Sequence, residues 1–438
     1  MNNILKNLKS NRGFAFIAVY LVISVLLIFA IVFVNQSVSQ NNTVNIFKRQ
    51  TAALNAADAG LDRAMVWLRT QGIPPAPGQN QIVTTLAGNL QNGTIYTVVI
   101  TDLGFVGGSA TIRRYMVTST GTSGNMSRVL RNYVQVDNYA RYIWYTDRET
   151  FNGTNVWFWS QDHLNGPTHT NAHFNIYGNP IFDGEARSVD DYIRFYNHGN
   201  NINLSQTTNP PYDLPVFNNG FVFGADQSTM PTTALSLRSA AASSGISLSG
   251  NTTVVLNSNG TMNVTNSNKN PPWNNKNMAL PANGALFINN GSLTISGTLN
   301  GRLTAGASVD VNIPGNIVYA SDPVTNPSSD DTLGIISERD IVISSNAPTN
   351  LEINACLMAL NTSFYLNNWS SGSPKGTLSV YGGIIQKERG PVGTFNASTG
   401  QKISGYSKDY SYDSRLVGSP PPFMPTTGDY LTLSWEEN

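Results

Sequence analysis

Residues 13–34 read GFAFIAVYLVISVLLIFAIVFV and follow the basic leader MNNILKNLKSNR. No charged residue occurs between Gly13 and Phe47. A helix of about 20 apolar residues rising about 1.5 Å each spans the roughly 30 Å hydrocarbon core of a bilayer. The run therefore predicts a transmembrane helix over 14–36. Lys6, Lys9 and Arg12 precede it without an acid, which holds the short N-terminus in the cytoplasm and sends the rest of the chain across. A secretory signal would have a shorter apolar core and an A-x-A-like cleavage site after it, and this segment has neither.

The helical pattern continues past the apolar run. Leu54, Ala57, Leu61, Ala64 and Leu68 recur at three- and four-residue steps, so they share one helical face. Ala52, Ala53, Ala56 and Ala59 raise helix propensity, and Gly60 lowers it. The helix should end before Gly72-Ile73-Pro74-Pro75. Three β-rich stretches follow: Thr94 to Thr101, Thr111 to Ser119 and Arg128 to Val136. Glycines separate them at Gly104, Gly107 and Gly108 and again at Gly121 to Gly124. The expectation for 37–140 is an α+β module, an antiparallel sheet packed on the amphipathic half of the long helix.

The remaining stretch, 141–438, is too long to belong to that module alone. Its texture is many short strands punctuated by Gly and Asn. Leu286 and Ile288, Leu293 and Ile295, then Val309, Val311 and Ile313 alternate. The pattern returns at Ile341 to Ile343, Leu351 to Ile353 and Leu378 to Val380. This predicts a mainly-β domain, a right-handed β-helix or solenoid in preference to a β-sandwich. Thr233 to Gly245 reads as one short inserted helix. Only 12% of the whole chain is charged, against a usual value near 25%, and 26 basic residues balance 26 acidic ones. No basic stripe points to nucleic acid. With 18 Tyr, 18 Phe and 7 Trp in the whole chain, this is a folded protein and not a disordered one. Cys356 is the single cysteine, so no internal disulfide staples the fold.

Candidate chemistry is sparse. All four histidines fall between 163 and 198. His163, His169 and His173, near Asp162, are weak metal-ligand candidates because His and carboxylate form a common zinc set, but their spacing fits turns better. Asp190-Asp191 and Asp330-Asp331 are the adjacent acid pairs, and each also fits a solvated loop. No Gly-x-Ser-x-Gly, P-loop or dinucleotide fingerprint occurs, so the expectation is a non-enzymatic protein without a cofactor. Trp144, Trp157 and Trp159 lie close together in sequence. Alternate members of VWFW should face opposite sides of a strand, leaving one face for the core and the other for a sugar-stacking or partner surface.

The Gly13-Phe14 junction between a basic leader and an apolar helix resembles the type IV prepilin class, which includes type II secretion pseudopilins. The resemblance implies cleavage between Gly13 and Phe14 by prepilin peptidase, N-methylation of Phe14 and retention of the helix. Most of that class carry Glu at the fifth mature position, where this chain has Ala18. A carboxylate in lipid needs a partner, and its absence favours a minor subunit present in few copies. The string AALNAADAGLDRAMVWL (Ala52 to Leu68) resembles the A-x-x-A-E-A-G pattern of the minor pilins that lack this Glu, with Asp58 in place of the Glu of that pattern. Val156 to Phe182 and Gly405 to Tyr430 resemble a bacterial domain of unknown function found behind pilin-type N-termini. Together these imply a leader (1–13), a transmembrane helix (14–36), a pilin-like module (37–140) and a β-rich head (141–438). They imply other pilins, prepilin peptidase and the inner membrane as partners, with a surface carbohydrate or protein ligand as a further one. The alternative is a membrane-anchored adhesin whose helix only delivers the head.

Overall fold

The protein is described from a computed structural model, which covers residues 4–91, 93–106, 109, 111–396, 399 and 401–437. Residues 1–3 of the leader, and Gly107 and Gly108 of the expected turn, lie outside the described residues.

Helix α1 (Ile4–Arg69) runs uninterrupted for 66 residues. Its apolar part is long and apolar enough to cross a membrane, with a mean hydropathy of 3.2 over its best window. Residues 14–49 are exposed along their whole length. From Ala53 onward the same helix becomes a packing element. Ala53, Ala56, Ala57, Leu61, Ala64 and Leu68 are buried.

What they pack against is an antiparallel meander of β1 (Ile82–Asn89), β2 (Ile95–Phe105), β3 (Arg113–Ser123) and β4 (Met126–Asn138). Along β3 the inward positions are Tyr115, Val117, Ser119 and Gly121. Two glycines let the helix and sheet approach closely, Gly121 against the helix backbone and Gly60 against sheet side chains. A Cβ on Gly121 would collide with the Ala53 carbonyl oxygen, and one on Gly60 with Ser119 Oγ. Gly60, which weakens the isolated helix, is therefore where the helix meets the sheet.

A fifth strand, Thr426–Glu437, lies antiparallel to β4, with Tyr430 opposite Val136 and Glu437 opposite Leu130. The sequence reading gives this sheet three strands and assigns all of 141–438 to the β-rich head. The structure corrects both points. β1 is an edge strand with no clean alternation, and the last strand finds its partner almost 300 residues upstream, a pairing that no local period reveals.

Between β4 and that final strand lies a long parallel ladder, not the antiparallel pairing of a sandwich. Ten strands stack in one direction: 246–249, 285–289, 302–307, 332–337, 356–359, 384–386, 144–148, 168–170, 186–188 and 221–222. In register they place Ile246, Leu286, Ala305, Ile335, Leu357, Ile384, Trp144, Thr168, Ala186 and Phe221 in one column. All but Thr168 belong to or pack on one apolar core. A second column runs Ile317, Ile353, Val380, Tyr410, Leu164, Phe182 and Phe217.

The spatial order is not the chain order. The chain leaves β4, enters the ladder at its seventh strand and climbs to the tenth. It then crosses back outside through α2 (Leu235–Ser243), the helix expected over 233–245. From strand 246–249 it returns rung by rung until 384–388 pairs with 144–148. The exit segment 413–425 packs beside α2 and meets the sheet module through Gln135 Nε2, which donates to the Val417 carbonyl at 2.8 Å. Because β4 and the last strand are neighbours, both ends of the insertion must lie close together. A ladder threaded from one pole to the other fails that demand, and one entered in the middle meets it.

Gly121→Val should force α1 from the sheet. Overpacking of this kind costs about 1–3 kcal/mol, so chemical denaturation of the full chain should show a loss of that size, and Gly121→Ala a smaller one.

Candidate functional site

The seam where 384–388 meets 144–148 concentrates charge in a chain that has little. Arg389, immediately after the strand on one side, is 1% exposed. Its Nη1 donates to Glu149 Oε2 at 2.9 Å, and its Nη2 lies 3.1 Å from the Trp157 carbonyl and 3.4 Å from Asp162 Oδ2. Lys408 Nζ lies 3.0 Å from both oxygens of Asp162. Glu149 also accepts from Trp144 Nε1 at 3.3 Å and from Thr146 Oγ1. The Arg389 guanidinium rests over the Phe158 ring at 3.6 Å. Two cations and two carboxylates thus cancel in a water-poor site. Burial pulls the Lys408 pKa down, and the neighbouring Asp162 opposes that.

Above this network opens a cleft of about 430 Å³. It lies where another face of the ladder is interrupted. Strand Phe364–Leu366 pairs only with the strand before it and Phe158–Trp159 only with the one after, among the described residues. Two antiparallel pairings flank the gap, one of Thr150 and Phe151 with Thr154 and Asn155 and one of Gly393–Phe395 with residues 402–405. The walls are aromatic: Phe151, Trp157, Trp159, Tyr177, Tyr196, Trp369 and Phe395. Trp159 and Phe395 sit 4.5 Å apart, Tyr177 and Tyr196 4.6 Å, and Phe151 and Trp369 6.0 Å between ring centroids.

The sequence candidates separate. Trp144 points inward and stacks with Tyr410 at 6.2 Å, so it is a core residue. Trp157 and Trp159 face the cleft while Phe158 between them is buried, as the alternation predicts. The three histidines do not converge. His163 Nε2 lies 2.6 Å from Asp183 Oδ2, and His173 Nδ1 lies 2.8 Å from Asp190 Oδ2. His169 is buried against Tyr145, with Nε2 3.0 Å from Asn171 Oδ1. Burial pushes its pKa down to about 4. Among the described residues no group of three or more His, Cys, Asp or Glu is placed to hold a metal ion. Asp331 accepts from the Gly301 and Ser321 amides, a loop clamp. Gly13 lies within the α1 backbone and Phe14 is exposed.

Sequence reasoning missed Glu149, Arg389 and Lys408, and the aromatics Phe151, Tyr177, Tyr196, Trp369 and Phe395. One signal was available: in a chain this poor in charge, Lys387-Glu388-Arg389 comes right at the end of an apolar strand.

The chain matches the family described as Domain of unknown function (DUF4900) over residues 112–190. That stretch contains Glu149, Trp157, Trp159 and Asp162 and straddles the sheet and the ladder. It overlaps the resemblance at 156–182 but not the one at 405–430. No curated protein matches. Among solved structures, the competence-associated pilin ComZ from Thermus thermophilus aligns at 12% identity and a TM-score of 0.31, over 89% of this chain and 97% of that one. A TM-score of that size establishes neither a shared fold nor a shared function.

Arg389→Met should cost about 3–5 kcal/mol, the usual penalty for leaving a buried charge unpaired. Adding Glu149→Gln should restore part of it, and urea denaturation of both variants checks this.

Proposed function

We propose that the protein is a minor pilin-like subunit of a type IV or type II secretion-like filament, held in the inner membrane before assembly and carrying the β-rich ladder as a displayed head. One observation carries this reading. A single helix is bare and apolar over 14–34 yet packed on a sheet from Ala53 onward. Bare apolar surface of this extent requires lipid or other apolar helices to cover it, and the basic leader with Gly13-Phe14 supplies the processing junction of the prepilin class. Within this reading prepilin peptidase cuts after Gly13, Phe14 is N-methylated, and Ala18 keeps copy number low because no buried carboxylate waits for the next subunit.

The ladder is read as a right-handed solenoid, the hand that parallel crossovers almost always take. The head is read as a binding element and not an enzyme. In the cleft the near carboxylates, Glu149 and Asp162, are each held by a cation, which suits a rigid floor better than proton transfer.

Mass spectrometry of the mature chain from cells with and without prepilin peptidase tests the proposal. The expected product begins at N-methyl-Phe14 only when the peptidase is present. A chain beginning at Met1 in both strains would remove it from the pilin pathway.

A further inference from the structure

We propose that the aromatic cleft at the seam binds a neutral saccharide. This goes beyond filament membership and does not depend on it. The cleft volume of about 430 Å³ lies within the roughly 300–1,000 Å³ range of small-ligand sites. Its walls come from both halves of the ladder, so the site exists only in the closed fold.

Three features define the ligand. Trp157, Trp159 and Trp369 are half-buried and line the cleft, and an aromatic face of negative quadrupole complements the C–H face of a pyranose. Their indole N–H groups have no hydrogen-bond partner among the described residues and are not buried, so each is a free donor for a hydroxyl oxygen. Asn152, at the tip of the flanking hairpin, and Thr154 and Asn155, on its return strand, add side-chain polar atoms that make no hydrogen bond among the described residues. The floor excludes a charged ligand as the preferred one. Arg389 and Lys408 are matched by Glu149 and Asp162, so no net charge is left to attract an anion. A free cation site would need an unmatched carboxylate, and the cleft has none among the described residues.

Full-length protein in lipid nanodiscs, chosen because sugar-headed detergents would compete, is titrated calorimetrically with cellohexaose, chitohexaose and maltohexaose. Oligogalacturonate and decaproline serve as the anionic and peptide probes. At least one neutral hexasaccharide should bind with Kd below about 1 mM and shift tryptophan fluorescence. Trp157→Ala and Trp369→Ala should each weaken it at least about tenfold, while Trp435→Ala, on the last strand of the sheet, should leave it unchanged. The proposal is overturned if none of the three binds at about 10 mM, if binding survives both alanine variants, if it leaves wild-type tryptophan fluorescence unchanged, or if only oligogalacturonate or decaproline binds. The wild-type titration and its fluorescence decide the matter even if an alanine variant fails to fold. Mature N-terminus and filament incorporation should be unaffected in these variants, which separates this outcome from that of the filament reading.

Discussion

Arg389 is the contact on which the head depends. It follows the last return strand, yet every partner of its side chain comes from the first stretch of the ladder: Glu149, Asp162, the Trp157 carbonyl and the Phe158 ring. Its backbone amide also donates to the Arg148 carbonyl at 3.0 Å. A buried ion pair contributes little net stability against an apolar substitute, because desolvating the charges costs nearly what pairing returns. What it adds is discrimination. A slip by two residues would keep the same side chains on the core face of a strand, and it would carry Arg389 away from both carboxylates. In a chain with so few charges, this cluster marks a place where two distant segments must find each other.

Closure at the seam has two consequences. It makes one continuous core out of segments that are far apart in sequence, with Ile384 stacked on Trp144 and Tyr410 on Leu164. It also sets both ends of the head beside the pair formed by β4 and the final strand. The head is thus tethered at two hydrogen-bonded strands of the sheet that α1 carries, a stiffer mount than a single linker. The cleft is the by-product of the same arrangement. One face of the ladder closes without strand pairing, and aromatic side chains from both halves occupy the gap.

Much of this was legible locally. The apolar run, the amphipathic continuation through Leu68, three of the sheet strands and the helix before 246 follow from composition and period, because each is decided by neighbours a few residues away. The short alternating strands announced a ladder, and the parallel stack has that character. The rest was set at long range. The pairing of Tyr430 with Val136, the meeting of 384–388 with 144–148 and the descent of Arg389 onto Glu149 depend on segments separated by hundreds of residues. The tryptophans illustrate the limit. Alternation correctly separates Phe158 from Trp157 and Trp159, but it does not tell that Trp144 faces the core while Trp369, far downstream, completes their wall.

The seam is tested most directly by a disulfide. Arg148 and Glu388 are register partners, and their side chains form an ion pair at 3.4 Å. Adjacent parallel strands bring Cα atoms within the roughly 4.4–6.8 Å that a disulfide spans, and Cys356 is buried and out of reach. The variant Arg148→Cys/Glu388→Cys should cross-link within one chain under mild oxidation, whereas the offset pair Arg148→Cys/Lys387→Cys, on opposite strand faces, should not. A folded chain in which the register pair stays reduced, or in which both pairs link equally, would contradict the closed ladder and with it the cleft.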